Sequence, residues 1–132
     1  MYACIEKFSK IQLHSYTPKL NSENMPKRKE SEKALEKTLR VKVKALRGHA
    51  LKFSSSIEAG YPDRIVLLPC GVSIFVELKS EGEKPRKLQV IRHEELKQLG
   101  FRVAVIDSTG SLNQFIEECK TIIDYELCKK KL

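Results

Sequence analysis

The sequence has no apolar run that approaches the roughly 18 consecutive residues needed to span a membrane. Its first residues, MYACIEKFSKIQ, lack the continuous apolar segment of a secretory signal peptide. Four cysteines are present, but they form no CxxC pair and no histidine lies at zinc-finger spacing, which argues against a zinc site or a disulfide framework. We therefore expect a soluble, cytoplasmic protein with reduced, partly buried thiols.

No internal repeat is present, and a length of 132 residues suits one compact domain. We interpret residues 1–29 as an N-terminal arm or extension, residues 30–128 as the domain and residues 129–132 as a basic tail. The 25 lysines and arginines outnumber the 17 aspartates and glutamates, which gives a formal net charge of +8 at pH 7. This balance favours a polyanionic partner such as nucleic acid.

The first half of the domain is predicted as a helix followed by three strands. The helix follows Ser31 as N-cap and ends at Gly48, with an apolar stripe at Leu35, Leu39, Val43 and Leu46. The strands are predicted at residues 50–53, 64–68 and 72–79.

The second half is predicted as helix, strand and helix. Pro85 suits the first turn of a helix that ends at Gly100, and residues 101–107 form a strand rich in β-branched side chains. Residues 111–127 form a closing amphipathic helix. The core-facing residues are predicted to be Leu88, Ile91, Leu96 and Leu99 in the first of these helices and Leu112, Phe115, Ile116, Cys119, Ile122 and Ile123 in the second. The order α-β-β-β-α-β-α predicts an α/β fold with a mixed sheet flanked by helices, whose last strand is reached through a helical crossover.

The second and third strands are expected to form a hairpin that brings three ionisable groups together. If Pro69, Cys70 and Gly71 form a three-residue loop, with Gly71 at a positive φ, the strands pair antiparallel and Asp63 lies opposite Glu77. Lys79 projects from the same face as Glu77. The sequence thus places two acids and one lysine at one end of a sheet.

Burial of unpaired charge is costly, so this cluster needs an explanation. A hard divalent cation provides one, because Mg²⁺ or Mn²⁺ binds one or two carboxylates, several waters and substrate phosphate oxygens. In the alternative explanation, Asp63 is an ordinary loop residue and Glu77 and Lys79 form an edge-strand ion pair. The residues alone leave both explanations open.

The segments GYPDR, FVELKSEG and KLQ, in this order and spacing, resemble the VRR-NUC branch of the PD-(D/E)XK nuclease superfamily. The resemblance implies a restriction-endonuclease-like core. It also implies that Asp63, Glu77 and the backbone carbonyl of Leu78 bind Mg²⁺ or Mn²⁺, that Lys79 is catalytic and that Gln89 supports the site.

The family also places a glutamate of the opening helix near the metal, and Glu32 and Glu36 are the two possibilities. Glu36 fits better, because it flanks the apolar stripe that faces the sheet; Glu32 is more typical of a solvated first-turn acid. The alternative for Glu36 is an i,i+4 ion pair with Arg40.

Several basic residues are candidates for contacts with nucleic acid. Lys52 lies in the first predicted strand, and Lys84, Arg86, Lys87 and Arg92 cluster around the second helix near Gln89. A solvated charged surface is the alternative for each of them. His93 is expected to be a surface residue without a catalytic role.

The resemblance implies a metal-dependent DNA endonuclease. Compact members of this family are similar to phage-type enzymes that act as homodimers on branched DNA such as four-way (Holliday) junctions, inside a phage-infected or bacterial cell. The alternatives are a catalytically inactive basic DNA-binding module, and a restriction or nicking nuclease on the same core.

Overall fold

The structure is a computed structural model that describes residues 29–131, so the predicted arm at residues 1–29 lies outside the described residues apart from Lys29. Helices and strands follow one another as α1 (Glu32–Ala45), β1 (His49–Lys52), β2 (Arg64–Leu68), β3 (Val72–Leu78), α2 (Lys87–Gln98), β4 (Arg102–Ile106) and α3 (Thr109–Lys130). The predicted order and the predicted α/β class are confirmed. Among the described residues, no helix is both long and apolar enough to cross a bilayer.

The four strands form one mixed sheet in the order β1-β2-β3-β4. β1 and β3 each pair antiparallel with β2, and β4 lies parallel to β3 because α2 carries the chain back across the sheet. Leu68 pairs with Val72 as predicted. The connecting 3₁₀ turn, Pro69–Gly71, has two residues at positive φ, Cys70 at 72° and Gly71 at 78°.

The main core lies on one face of the sheet, where α1 and α3 cover it. Alternate side chains of the strands point to this face, as a pleated strand requires. The buried residues are Val66, Leu68, Ile74, Val76, Leu78 and Ile106 from the sheet, Leu35, Leu39 and Val43 from α1, and Leu112, Phe115, Ile116 and Cys119 from α3. Ile122 and Ile123 are half-buried against this core.

Helix α1 begins at the predicted cap, because the Ser31 hydroxyl accepts a hydrogen bond from the Ala34 amide at 3.2 Å. It ends before Gly48, and the left-handed residue at its end is Arg47, with a φ of 63°. Gly48 has a different role: a Cβ atom there would lie 2.5 Å from the Leu67 carbonyl oxygen. The glycine therefore permits the close approach of the turn to β2.

Helix α2 differs from the prediction in the face that it buries. His93 and Leu96 are its buried residues, whereas Leu88, Ile91 and Leu99 are exposed, Leu99 by 74%. The helix packs against β4, and Leu88 also meets the loop at Gly60, but these apolar side chains stay exposed. Pro85 precedes the N-cap residue rather than lying in the first turn, while Gly100, at a φ of 92°, ends the helix as expected.

Helix α3 begins where β4 ends and continues through Lys130, so the predicted basic tail is helical over Lys129 and Lys130. The carboxylate of Glu30 accepts hydrogen bonds from both the backbone amide and the hydroxyl of Thr109 at the start of this helix. Within the described part of the chain, Cys70 is half-buried, Cys119 is buried and Cys128 is exposed, and all three are free thiols. Burial raises the pKa of Cys119 to about 11, so this thiol stays protonated.

Candidate active site

Asp63 lies one residue before β2, at the position that the hairpin register predicts. The pairing of β2 with β3 ends at Arg64 opposite Val76, so one further step along the strands places Asp63 opposite Glu77. The backbone carbonyl of Asp63 accepts a hydrogen bond from the Phe53 amide at 2.9 Å, and its Oδ1 accepts one from the Leu78 amide at 3.2 Å. Asp63 is therefore held between the end of β1 and the end of β3.

Glu77 is the most deeply buried acid of the cluster, with 3% of its surface exposed. Its Oε1 lies 2.9 Å from Lys79 Nζ and accepts a hydrogen bond from Gln89 Nε2 at 2.7 Å. Its Oε2 is buried and has no hydrogen-bond partner among residues 29–131. Burial raises the pKa of Glu77, and the neighbouring charge of Asp63 adds to this effect while Lys79 opposes it.

Gln89 joins the second helix to this acid. While its amide nitrogen donates to Glu77, its amide oxygen accepts a hydrogen bond at 2.9 Å from the backbone amide of Arg86, the N-cap residue of α2. One side chain thus satisfies a free amide at the helix start and orients the buried carboxylate. The structure brings Glu77, Lys79 and Gln89 together as predicted.

Arg64 links Glu36 to Asp63. Its guanidinium lies 2.9 Å from Glu36 Oε2 and 3.5 Å from Asp63 Oδ2, and it donates a 2.8 Å hydrogen bond to the Asp63 carbonyl. Arg64 is only 9% exposed. Glu36 therefore leans towards the sheet as expected, and it forms no ion pair with Arg40 within residues 29–131. Glu32 is an exposed residue of the first turn.

The loop that carries Asp63 is pressed against α2. Gly60 has a φ of 92°, and a Cβ atom there would lie 2.7 Å from Leu88 Cγ. Arg92 holds the same loop: its Nε donates to the Ala59 carbonyl at 3.3 Å, and its guanidinium lies 5.2 Å from the centre of the Tyr61 ring. It also forms a 2.8 Å ion pair with Glu95. Arg92 thus has partners within the fold, and its proposed contact with phosphate stays a prediction.

His93 is a residue that the sequence reasoning placed wrongly. It is 5% exposed rather than on the surface, and its Nε2 has no hydrogen-bond partner in the described part of the chain. Burial lowers the pKa of His93, and the charges of Lys97 and Lys79 lower it further. Its position one turn after Gln89 on the same helix face was the available signal, since that face meets the sheet.

The other predicted contacts with nucleic acid lie on the surface beside the site. Lys84, Arg86 and Lys87 are exposed at the approach to α2 and in its first turn. Lys52 is exposed at the end of β1, paired in register with Arg64. The structure leaves these side chains accessible, and their contacts with nucleic acid stay predictions.

The residues of the site fit a hard divalent cation of the kind that the resemblance implies. No three side chains of His, Cys, Asp or Glu converge as a metal site within the described residues. Mg²⁺, however, commonly uses one or two carboxylates and completes its shell with waters and substrate oxygens. The buried, unpartnered Oε2 of Glu77 is an acceptor of the type that such an ion needs. Asp63 and the backbone carbonyl of Leu78 complete the predicted protein ligands.

Comparison with known proteins gives two similarities, although no protein-family model matches the chain. The chain is 47% identical over 77 residues to "Putative nuclease p44" of Acyrthosiphon pisum secondary endosymbiont phage 1, a match that spans 58% of this chain and 83% of that protein. A solved structure described as "VRR_NUC domain" is 34% identical, has a TM-score of 0.63, and is matched over 94% of its own length and 65% of this chain.

Proposed function

Since this chain belongs to the VRR-NUC family, as its motifs led us to expect, we propose that it is a metal-dependent endonuclease that hydrolyses phosphodiester bonds in DNA. The observation that carries the proposal is the state of Glu77, a buried carboxylate with one oxygen unpartnered in the described structure and a raised pKa. Such a group destabilises the protein in the absence of a cation, and a cation that binds there explains why it is present.

Asp63, Glu77 and the backbone carbonyl of Leu78 would hold Mg²⁺ or Mn²⁺. When bound, such an ion polarises a phosphodiester oxygen and lowers the pKa of a bound water. The ammonium group of Lys79, 2.9 Å from Glu77, provides a positive charge that would stabilise negative charge developing on the phosphate. Gln89 orients Glu77, and Arg64 together with Glu36 holds Asp63 in place.

The same geometry argues against an inactive DNA-binding module. Binding to phosphate requires lysine and arginine, whereas Asp63 and Glu77 repel phosphate unless a cation lies between them. A second acid beside a buried acid also costs stability, because the charge of Asp63 raises the pKa of Glu77. A binding module would gain nothing from this arrangement.

We propose further that the enzyme selects branched DNA, such as four-way junctions, and acts as a homodimer. Two identical sites related by a twofold axis suit the two cuts that a twofold junction requires. Exposed apolar side chains of α2, among them Leu88, Ile91 and Leu99, offer a surface that a second copy would cover.

The proposal is tested with linear, flap and four-way DNA, each incubated with Mg²⁺, with Mn²⁺ or with a chelator. We expect cleavage only with metal, fastest on the four-way substrate, and a fall of roughly 100-fold or more in Lys79→Ala. Lys120→Ala is the matched control, because Lys120 is an exposed lysine paired with Glu117 on α3.

Binding without cleavage by the unaltered protein in either metal would remove the nuclease proposal. Equal rates on all three substrates would rule out the preference for branched DNA. A monomeric mass by light scattering in the presence of junction DNA would rule out the homodimer. Neither result would affect the proposed hydrolysis.

A further inference from the structure

A basic groove runs along the edge of the sheet, between α1 and β1. It has a volume of about 470 Å³ and is formed on the helix side by Lys37, Arg40 and Lys44. His49 and Leu51 line its strand side. The three cations lie three and four residues apart, a spacing that places them on one face of a helix. The described residues that line the groove include no acid.

The cations of this groove lack the ion pairs that some other surface lysines of the protein form. Lys97, Lys120 and Lys129 each form an ion pair with a glutamate three positions away. Within residues 29–131, Lys37, Arg40 and Lys44 form none. Like charges at this spacing destabilise a helix by a few tenths of a kcal/mol for each pair. The arrangement therefore costs the isolated protein stability, and a bound anion would remove that cost.

The groove also leads directly away from the candidate active site. Its first cation, Lys37, follows Glu36, which is ion-paired to Arg64 beside Asp63. Its far end lies beside His49, which pairs with Leu67 towards the β2–β3 turn. From Lys37 to Lys44 the helix rises about 10 Å, which matches the rise along the duplex axis of about three phosphates of one strand.

We infer that this groove binds the phosphate backbone of a DNA strand that leaves the cleavage site, through Lys37, Arg40 and Lys44. The inference rests on the proposed nuclease function and extends it with a second surface, separate from the basic residues around α2. The contacts are to phosphate, so they fix the path of the DNA and carry no base preference. Val41 and Leu51, both exposed in the groove, provide apolar contact for the sugars.

The test compares two triple variants that each remove three positive charges. The groove variant is Lys37→Gln, Arg40→Gln and Lys44→Gln, and the control is Lys97→Gln, Lys120→Gln and Lys129→Gln. Binding to a fluorescent 30-base-pair duplex and to a four-way junction is measured by anisotropy with chelator, from about 50 to 200 mM salt. Neutralisation of three phosphates predicts that the slope of log K against log salt becomes shallower by about 2.7 in the groove variant. Affinity near 100 mM salt is expected to fall roughly 100-fold.

The control variant is expected to keep the slope of the unaltered protein within about one unit and its affinity within about threefold. Glutamine is a good helix former, and all the altered residues are exposed, so both variants should fold. Relief of the like-charge pairs should raise the melting temperature of the groove variant slightly, and loss of three surface ion pairs should lower that of the control slightly. Lys44→Gln alone, at the far end of the groove, should change the slope by about 0.9.

An unchanged slope in the groove variant, or an equal loss in the control, would overturn the inference. Cleavage by the unaltered protein is measured in the same preparation with Mg²⁺ and Mn²⁺. Groove-dependent binding without any cleavage would support the groove and refute the nuclease, whereas cleavage with a groove-independent slope would do the reverse. The absence of both binding and cleavage by the unaltered protein would refute both.

Discussion

Gln89 has two hydrogen-bonding partners, and two substitutions separate their contributions. Its amide nitrogen donates to Glu77 at 2.7 Å, and its amide oxygen accepts from the Arg86 amide at 2.9 Å. Gln89→Ala removes both bonds. Gln89→Glu keeps an acceptor for Arg86 and favours the positive end of the helix dipole, but it replaces the donor with a second carboxylate beside Glu77.

The expected size of the effect follows from the charge of the acceptor. A hydrogen bond to a charged group contributes about 1.5–3 kcal/mol, so loss of the orienting bond in Gln89→Ala should lower kcat roughly 10- to 100-fold. Gln89→Glu should be less active still near neutral pH. Two carboxylates in contact cannot both ionise easily, so one retains a proton. The remaining activity of this variant should rise with pH as that proton is lost.

The assay is single-turnover cleavage of four-way DNA from pH 6 to 9, with melting temperature measured on the same samples. Loss of the helix cap alone costs about 1 kcal/mol, so Gln89→Ala should melt roughly 5 °C lower. Gln98→Ala, in the exposed last turn of α2, is the control. If Gln89→Glu cleaves as fast as the unaltered protein, Gln89 is a helix cap only and its orienting role is wrong.

Two further predictions concern stability. Gly60→Ala should lower the free energy of unfolding by about 3 kcal/mol, because it combines a positive φ with a clash against Leu88. The control Gly82→Ala, at a φ of 82° in open space, should lower it by about 1 kcal/mol. Equal losses in urea denaturation would contradict the close packing of the Gly60 loop against α2. The pKa of His93 is lowered in the folded protein, so below about pH 6.5 the imidazole binds a proton in the unfolded chain but stays neutral in the folded one. The free energy of unfolding should therefore fall as the pH drops from 6.5 towards the folded pKa. His93→Leu should flatten this pH dependence in urea titrations between pH 7.5 and 5. Glu77 contributes in the opposite direction because its raised pKa lets the folded state bind a proton first, but this contribution cancels when the variant is compared with the unaltered protein. Parallel pH curves for the two proteins would show that His93 is not buried as described.

The hairpin that carries the site could be predicted because short-range rules determine it. A three-residue loop sets which residues pair, and strand alternation then sets which side chains share a face. These two rules placed Leu68 opposite Val72 and Glu77 beside Lys79, as the structure shows. Nothing more distant than the loop was needed.

The features that were missed depend on partners far apart in the chain. The ion pair between Glu36 and Arg64 joins the first helix to the second strand, and no local pattern identifies the partner of either residue. Periodicity identified an apolar face on α2, but it does not tell whether another element covers that face. Leu88 and Leu99, which were predicted to face the core, are therefore found exposed, and His93, which was expected on the surface, is found buried.

The hydrogen bonds between Glu30 and Thr109 have a practical consequence for protein engineering. They fix the point at which the chain enters the described fold at the start of α3, where β4 ends, at the same end of the sheet as the end of β3 and Lys79. Helix α3 then runs for 22 residues, or about 33 Å, away from that point. An affinity tag or fluorescent fusion attached after this helix would therefore emerge away from the candidate active site, whereas one joined just ahead of Glu30 would emerge beside it.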